Sequence, residues 1–337
     1  MKQRGLYNLG NTCYLNSALQ ALRHAGPFAT YFGTDAWTQH RHEDRGGYEL
    51  AQEVSTLIKD FGKDGPRAIN PGSLVRAFFK VAKERGLDDE FHPGAQADGT
   101  EAVLLILQVL HEQQARHVKM EITGVPKSKT HIEYVKSLEA WSNFFRKEYS
   151  SIVEDFYGQT LTRLVCKCGH EIARYEPWGV LKVPIPNADV QGAPAPSLQQ
   201  CIAKGFEKEA LVDYMCESCK EKGGVSQELS ISRFPSHMIL GIKRYTNRGA
   251  KVQAKIAYDP DLVDFTEWIT WPSIQKKCRY QVYAVVDQWG NSRGGHYNMR
   301  ARSGSGWSLY DDQTHSPSPN GGESNADTLM LFLERLP

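Results

Sequence analysis

The sequence of 337 residues is 40% hydrophobic and balances 40 Lys and Arg residues against 39 Asp and Glu residues, for a formal charge of +1. A chain of this length and apolar content can bury a substantial core, as one large domain or two smaller ones, and is not disordered. Its near-zero net charge excludes a bulk field that would attract nucleic acid or an anionic membrane.

The cysteine content indicates a reducing compartment. No run approaches the roughly 18 consecutive apolar residues of a membrane span, and the opening letters MKQRGLYNLG lack the apolar core of a signal peptide. The seven cysteines are an odd number, and four of them form two close pairs, which favours metal binding and a free thiol over a disulfide framework. We therefore expect a soluble monomer of the cytoplasm, with the nucleus as the alternative, and no membrane or nucleic-acid partner.

Apolar periodicity divides the chain into a helical part followed by a β part. Helical spacing predicts helices over 14–22, 49–61, 71–85 and 100–110. From about residue 158, alternating β-branched and aromatic residues predict mostly antiparallel strands over 159–166, 173–184, 227–233, 237–245, 280–286, 297–302, 307–310 and 328–335. The expected fold class is therefore α+β.

Three stretches rich in Pro, Gly, Ser or Asn predict loops at 124–130, 189–196 and 316–324. They are too short to tether separate domains, so we expect one folded unit with a subdomain inserted between about 165 and 235. The charged, helical character of residues 111–150 indicates a surface insertion.

The segment GLYNLGNTCYLNSALQAL presents a cysteine at the start of a helix. Cys13 follows a loop of Gly, Asn and Thr residues, and Leu15, Leu19 and Leu22 then fall on one helical face. The unpaired backbone N–H groups and the positive helix end favour a thiolate there, which lowers the thiol pKa, and the same groups could hold an oxyanion. Asn8 can add a side-chain donor. The alternative is that Cys13 is an ordinary small core residue.

The segment YQVYAVVDQWGNSRGGHYNMRARSGSGWSLYDDQ is predicted to form three strands separated by two turns. If residues 303–306 form the second turn, Arg302 pairs with Trp307. The same ladder then brings His296 level with residues 311–313. A histidine near one end of the segment therefore meets a pair of carboxylates near the other.

His296 and Asp311 are in this way predicted to be neighbours, as a base and the carboxylate that orients it must be. Gly294 and Gly295 leave the approach to His296 free of side chains. The alternative, which holds for most of the 11 histidines, is a surface or core role.

The two close cysteine pairs are Cys166-Lys-Cys168 and Cys216-Glu-Ser-Cys219. Each lies next to a predicted strand or turn, which suits a tetrahedral four-thiolate zinc site that closes a β ribbon. Such a site is structural, because protein fills all four positions. His170 is an alternative ligand, and unrelated free thiols are the alternative to a metal site. The near-zero net charge argues against a nucleic-acid-binding zinc ribbon.

The segment around Cys13 resembles, nearly letter for letter, the cysteine box of ubiquitin-specific proteases, and GGHY with WSLYDD resembles the family's histidine box. The resemblance implies that Cys13 is the nucleophile, Asn8 stabilises the oxyanion and His296 is the base. Asp311 matches the orienting carboxylate and Asp312 a helper at the oxyanion side, but the sequence leaves the choice between these two open. SIVEDFYGQ, SLQQCIAKGFEKEALVDYMCESC and FPSHMILGIKRY extend the resemblance over nearly the whole chain.

The resemblance implies a papain-like cysteine protease fold with a helical thumb, a β palm and zinc-bound β fingers. The implied bounds are about 1–155 for the thumb, 156–165 and 236–337 for the palm, and 166–235 for the fingers. The family's fingers carry two Cys-x-x-Cys pairs, whereas the first pair here is Cys-x-Cys. Zinc is the implied cofactor, and no redox or nucleotide cofactor is implied.

The segment QADGTEAVLLIL resembles the family's Gln-Gln-Asp-Ala-x-Glu-Phe box. By itself it indicates a helix with favourable carboxylates at its positive end. The resemblance implies that Asp98 and Glu101, beside Gln96, bind the arginine-bearing tail of ubiquitin, where opposite charges attract. Ala97 and Ala102 depart from the box, since the family has Gln and an aromatic residue there.

Tyr245, Gly295 and Tyr297 are implied to line the channel for the terminal Gly-Gly of the tail, although aromatic residues on strands are more often plain core. The implied activity is thiol-dependent hydrolysis of isopeptide or peptide bonds after the C-terminal Gly of ubiquitin, so the expected partner is ubiquitin or a ubiquitinated protein. Two alternatives remain: a protease for another Gly-Gly-ending modifier, and a non-catalytic ubiquitin-binding module.

Overall fold

The computed structural model of the chain describes residues 3–188, 190, 192, 194–246, 249–291, 294–304 and 306–337. Its helices are α1 (Cys13–Arg23), α2 (Gly26–Gly33), α3 (Tyr48–Asp60), α4 (Gly72–Glu84), α5 (Gly99–Glu112), α6 (Lys129–Phe145), α7 (Ser151–Phe156) and α8 (Leu198–Gly205), with 3₁₀ turns at Ala36–His40 and Thr266–Trp268. Within these described ranges, no helix combines the length and the apolar character that a membrane span requires.

The strands are β1 (Gly5–Leu6), β2 (Ala68–Ile69), β3 (Gly158–Cys166), β4 (Glu171–Trp178), β5 (Leu181–Pro184), β6 (Glu209–Leu211), β7 (Val225–Arg233), β8 (His237–Lys243), β9 (Val263–Asp264), β10 (Arg279–Asn291), β11 (Gly294–Ser303), β12 (Gly306–Asp311), β13 (Thr314–Pro317) and β14 (Thr328–Arg335). The largest sheet has the order β13-β12-β11-β10-β14-β8-β5, with β9 beside β10, and is antiparallel except for the β5–β8 pair. The order β4-β3-β7-β6 forms a second, antiparallel sheet, and β1 and β2 form a short parallel one.

Most of the predicted elements are confirmed, and one prediction is wrong. Helices α1, α3, α4 and α5 lie within two residues of the four predicted spans. The stretch 173–184, predicted as one strand, is divided between β4 in the second sheet and β5 in the largest one. The chain bends at residues 179–180, and the alternating pattern continues on both sides of the bend without marking it.

The helical character expected of residues 111–150 is observed, and two of the predicted loops include the ends of regular elements. Residues 111–150 contain α6, and its Trp141 and Phe145 are buried against Val153 rather than carried on the surface. The loop predicted over 124–130 ends where α6 begins, and the one over 316–324 includes the end of β13. Within the predicted loop 189–196, residues 189, 191 and 193 lie outside the described part of the chain.

Helix α1 lies in the centre of the main core, and each of its residues is buried. It packs between α5 and β11, so it joins the helical part of the molecule to the large sheet. A helix buried on every side needs partners for its polar side chains. The Gln20 amide donates to the Arg4 carbonyl at 2.9 Å, and the Asn16 amide donates to the Leu6 carbonyl at 3.4 Å. These side chains fasten the N-terminal strand to the helix that begins at Cys13.

A buried ion pair holds the central strands of the large sheet together. Arg300 on β11 donates to both carboxylate oxygens of Asp287 on β10, at 2.9 and 3.2 Å, and the two side chains are only 5% and 1% exposed. Thr328 on β14 donates its hydroxyl to the same carboxylate at 2.8 Å. The remaining guanidinium N–H groups reach the carbonyls of Gly321 and Glu323.

Replacement of Asp287 by alanine should therefore destabilise the fold strongly, because it leaves the Arg300 charge buried and unpaired. We expect a loss of about 3–5 kcal/mol in the free energy of unfolding, measured by urea denaturation. The matched control is Glu49→Ala, which removes an ion pair with Lys80 whose side chains are 53% and 61% exposed, and should cost less than about 1 kcal/mol. Equal losses in the two variants would contradict the assigned role of the buried pair.

Candidate active site

The loop before α1 is folded by its own polar side chains. The Asn8 side-chain oxygen accepts hydrogen bonds from the backbone N–H groups of Gly10 and Thr12, at 3.2 and 3.1 Å. Gly10 and Asn11 both have positive φ, +93° and +59°, values at which Gly and Asn are the least strained residues. The Asn11 amide also donates to the Gly94 carbonyl at 2.7 Å. The chain is thereby turned so that the helix begins at the predicted nucleophile.

Two features of the structure, burial and a nearby carboxylate, disfavour ionisation of the Cys13 thiol. Cys13 is 1% exposed. Burial, the largest cause, raises the pKa of the Cys13 thiol, and the negative charge of Asp312 raises it further. Backbone N–H groups of Tyr297 and of the start of α1 oppose this rise. The helix end thus acts in the predicted direction, but burial outweighs it. Within the part of the chain that the structure describes, no hydrogen bond joins Cys13 to His296.

His296 is oriented by the first of two consecutive aspartates. Strands β11 and β12 pair Arg302 with Trp307, as predicted. Because β12 runs antiparallel to β11, its end lies near His296, and the Nε2 atom of His296 is 2.6 Å from Oδ1 of Asp311. Both side chains are about 40% exposed. Because Nε2 faces the carboxylate, Nδ1 is the ring nitrogen available to a nucleophile. The predicted proximity of His296 and Asp311 is therefore observed. Residue 305, which belongs to the predicted turn, lies outside the described part of the chain.

Asp312 faces the other side of the site. Its carboxylate accepts from the side-chain amides of Asn8 and Asn16, at 2.9 and 2.8 Å, and its carbonyl accepts from the N–H of Leu6 at 2.8 Å. Its φ of +46° is the left-handed conformation, which sends the two neighbouring carboxylates in different directions. In this structure Asp311 is therefore the aspartate hydrogen-bonded to His296, and Asp312 the one hydrogen-bonded to Asn8.

The ligand atoms of His296, Asp311 and Asp312 lie within 4.8 Å of one another, so this group could hold a metal ion on distance alone. The carboxylates, however, already accept hydrogen bonds, Asp311 from the imidazole and Asp312 from two amides. Protein donors thus satisfy the oxygens that a cation would need. The arrangement is better suited to proton transfer than to metal binding.

A groove of about 330 Å³ lies next to this site, between the start of α5 and the large sheet. Its lining includes the predicted residues Gln96, Asp98, Tyr245 and Tyr297, together with Asp89, Glu90, Ala97, Gln288, Asn291 and Gly294. Sequence reasoning missed Asp89, Glu90 and Gln288, although the acidic run DDE at 88–90 was a signal. Burial, and then the charges of Glu101 and Asp98, raise the pKa of Glu90, so the groove is a concentration of negative charge.

The predicted tail-binding residues differ in what they contact. The Gln96 amide forms paired hydrogen bonds with the backbone N–H and carbonyl of Gly295. Asp98 caps α5 by accepting from the Thr100 N–H at 2.6 Å, so the simple capping interpretation holds for it. Glu101 lies beside the groove rather than in its lining, paired with Lys182 at 2.6 Å.

The tyrosines of the groove are both anchored. The Tyr245 hydroxyl donates to Gln288 at 2.8 Å, while the Tyr297 hydroxyl accepts from the N–H of Gly99 at 3.3 Å. Tyr297 is buried against the ring of Tyr14, next to the nucleophile. The groove thus adjoins the predicted catalytic residues at Tyr297, which lines the groove, follows His296 in the chain and directs its backbone N–H to Cys13.

The four cysteines predicted as metal ligands converge at the end of the second sheet. Cys166 Sγ lies 3.8 Å from Cys219 Sγ, and Cys168 Sγ lies 3.8 Å from Cys216 Sγ. Tetrahedral zinc–thiolate bonds of about 2.3 Å require sulfur atoms about 3.8 Å apart, so the residues fit a metal ion. His170 is not a member of the cluster. The Cys-x-Cys spacing is accommodated because Cys166 ends β3 and Cys168 follows in the turn.

A family model described as ubiquitin carboxyl-terminal hydrolase matches residues 4–332. The chain therefore belongs to the ubiquitin carboxyl-terminal hydrolase family. Among curated relatives, it is 26% identical to ubiquitin carboxyl-terminal hydrolase 4 of Saccharomyces cerevisiae (strain YJM789), over 98% of this chain and 39% of the relative. It is 28% identical to ubiquitin carboxyl-terminal hydrolase 2 of Homo sapiens, over 98% of this chain and 54% of the relative. The chain thus spans about two fifths to half of these relatives.

Solved structures show the same fold at low sequence identity. The SAGA DUB module Ubp8/Sgf11/Sus1/Sgf73 bound to monoubiquitin matches with a TM-score of 0.72 and 18% identity, over 100% of this chain and 71% of the matched one. The same module bound to ubiquitin aldehyde matches with a TM-score of 0.73, 18% identity and the same coverage. The predicted α+β fold of the ubiquitin-specific proteases is thereby confirmed.

The opposite roles of the two aspartates generate a pH prediction for the Cys13 thiol. In Asp312→Asn the negative charge that raises the pKa of Cys13 is removed, so the thiolate should form at lower pH. In Asp311→Asn the carboxylate that holds His296 through Nε2 is lost, so the imidazole accepts the Cys13 proton less readily and the thiolate should form at higher pH. The measurement is the pH midpoint of Cys13 alkylation by iodoacetamide, followed by mass spectrometry of the Cys13 peptide. Shifts in the same direction would refute the division of roles.

Proposed function

We propose that this chain is a cysteine isopeptidase that hydrolyses the bond after the C-terminal Gly of ubiquitin. The observation that carries the proposal is the convergence of Cys13, the His296–Asp311 pair and Asn8 at the end of an acidic groove. The names of the curated relatives, and the monoubiquitin and ubiquitin aldehyde bound in the matched structures, support ubiquitin as the substrate.

The proposed reaction begins with movement of the Cys13 proton to Nδ1 of His296, while Asp311 holds Nε2. Because the two groups are not hydrogen-bonded in the described part of the structure, a movement that brings them together precedes this step. The thiolate attacks the glycine carbonyl, and the oxyanion is stabilised by the Asn8 amide and the N–H groups at the start of α1. His296 then protonates the leaving amine. A water molecule, deprotonated by His296, attacks the thioester and releases the carboxylate and the thiol.

The groove supplies the proposed specificity for the tail. Gly294 and Tyr297 line the groove on either side of His296 in the chain, and the terminal Gly-Gly of the tail would occupy this end of the groove. Asp89, Glu90 and Asp98 place carboxylates along the approach, where an arginine-bearing tail would be attracted. Glu101 contributes when the tail arginine replaces Lys182 as its partner.

A second candidate substrate is another modifier that ends in Gly-Gly. The observation that favours it is the altered tail box, where Ala97 lines the groove and Ala102 is buried in place of the larger residues of the family. A non-catalytic ubiquitin-binding module is the less favoured candidate, because binding alone requires neither Cys13 nor the His296–Asp311 pair.

The free thiols support a reducing location, and we infer the cytoplasm, with the nucleus as the alternative. We also infer that the chain acts as a monomer.

The proposed subdomain bounds remain about 1–155 for the thumb, 156–165 and 236–337 for the palm, and 166–235 for the fingers. The cysteine cluster at the end of the second sheet supports this last range.

The decisive test is hydrolysis of a ubiquitin C-terminal fluorophore. Replacement of Cys13 by alanine should reduce kcat by about 10³-fold or more, because the nucleophile is lost, while ubiquitin binding measured by calorimetry persists. The matched control is Cys201→Ala, a buried thiol in a different core cluster, which should keep its activity. A second Gly-Gly-ending modifier runs in parallel. Turnover on that modifier alone would move the substrate assignment, and hydrolysis that survives in Cys13→Ala would refute the nucleophile.

We further propose that the metal held by the four-cysteine cluster is zinc. Four thiolates at tetrahedral separations form a closed site, so the ion would link β3 to the turn at 216–219 and would supply a structural crosslink. Cys168 is the exposed member of the set and can be replaced with little loss of packing.

The purified protein should accordingly contain one zinc ion per chain by elemental analysis, and a strong chelator should lower its unfolding temperature. Cys168→Ser should lose most of the zinc, because three thiolates remain. Cys278→Ser, a buried free thiol outside the cluster, should retain it. Equal zinc content in both variants, or a different bound metal, would refute the assignment.

A further inference from the structure

Trp289 lies directly across the sheet from His296. The two residues are Cα partners on β10 and β11, so their side chains project from the same face. Their rings are nearly parallel, with an interplanar angle of 13° and centroids 6.4 Å apart. In the described part of the chain, His296 is the one ring in contact with the indole, and Trp289 is the one tryptophan in the exposed class, at 38%.

The close approach of the β10 and β11 backbones fixes the position of the Trp289 backbone relative to His296. A Cβ atom on Gly295 would lie 1.8 Å from the Trp289 carbonyl oxygen, and one on Gly290 would lie 2.3 Å from the Gly294 carbonyl oxygen. Gly290 also has a φ of +105°, a conformation that side-chain-bearing residues rarely adopt. The strands therefore approach closely at this end of the ladder. The backbones that carry Trp289 and His296 cannot separate without breaking that approach.

An aromatic cross-strand pair can exist simply to stabilise a sheet. That role is a weak explanation for Trp289. The β10–β11 ladder continues in register from Ala284 to Asn291, and its centre is held by the buried ion pair between Asp287 and Arg300. A half-exposed indole at the end of such a ladder adds little to the core. Its principal contact is the imidazole.

The proposed reaction needs a positive charge at that position. Cys13 gives its proton to His296, and the products are a thiolate and an imidazolium. Asp311 stabilises the imidazolium through Nε2, at the ring edge. The face of the imidazole ring is turned toward the indole of Trp289. The π face of an indole attracts a cation.

We propose that Trp289 is a positioning residue for His296, whose indole face stabilises the imidazolium and holds the ring with Nδ1 toward Cys13. This inference rests on the proposed function, since it assigns the support of the same base. Asp311 and Trp289 have complementary roles, because the carboxylate sets the direction of the ring edge and the indole sets the plane of the ring.

The test uses Trp289→Leu, which keeps an apolar side chain without a π face, and Trp289→Phe, which keeps the face. The rate of Cys13 alkylation by iodoacetamide is measured against pH on the Cys13 peptide, because the pH midpoint reports charge and not access. In Trp289→Leu we expect a higher midpoint and a rate near pH 7 that is about threefold lower. Trp289→Phe should stay close to the unsubstituted protein. On the ubiquitin fluorophore, kcat should fall in Trp289→Leu while KM stays unchanged.

Two results would overturn the inference. One is an unshifted midpoint in Trp289→Leu, and the other is an equal shift in both variants, which would indicate a general disturbance of the strands. Thermal unfolding of each variant separates such a disturbance from the proposed effect. His296→Gln distinguishes this inference from the proposed function. If that variant leaves Cys13 alkylation unchanged, the Cys13–His296 pair itself is refuted; if it moves the midpoint while Trp289→Leu does not, only the role of Trp289 is refuted.

Discussion

The geometry of the site depends on the contacts that one residue makes. Asp312, in a left-handed conformation, accepts hydrogen bonds from Leu6, Asn8 and Asn16. These donors belong to the N-terminal strand, the loop before the nucleophile and the buried helix α1, whereas Asp312 itself follows β12 of the large sheet. The hydrogen bonds therefore join the two halves of the molecule at the point where the proposed reaction takes place.

Asp312 also introduces a conflict. It orients Asn8, which the proposed oxyanion requires, but its negative charge raises the pKa of the Cys13 thiol. On the other side of the cleft, His296 contacts the carboxylate of Asp311 and the ring of Trp289, the two groups that we propose stabilise its charged form during the reaction. Such opposed fields are a recurring way to keep a strong nucleophile inactive until its base is aligned.

Much of the fold and the site could be predicted from the sequence, because the informative patterns are local. The cysteine at a helix start, the two cysteine pairs and the β11–β12 hairpin each require only spacing and turn chemistry. The separation of Asp311 from Asp312 could not be predicted, because it depends on a positive φ at one residue. The bend after β4 was missed for a related reason: two strands of different sheets carry one continuous alternation. Lys182 acts through Glu101, a partner far away in the chain that no local pattern indicates. The contact of Trp289 with His296 lies within one hairpin but depends on the exact register of its two strands.

The burial of Cys13 has a consequence beyond the proposed reaction. Peroxide oxidises the thiolate far faster than the thiol, and it must reach the sulfur to do so. Cys13 is 1% exposed, and burial raises the pKa of its thiol, so the resting site presents neither access nor charge to an oxidant. Sulfenic acid formation would be confined to the moments when the proton has moved to His296. The features that disfavour ionisation of the nucleophile therefore also protect its sulfur from oxidation.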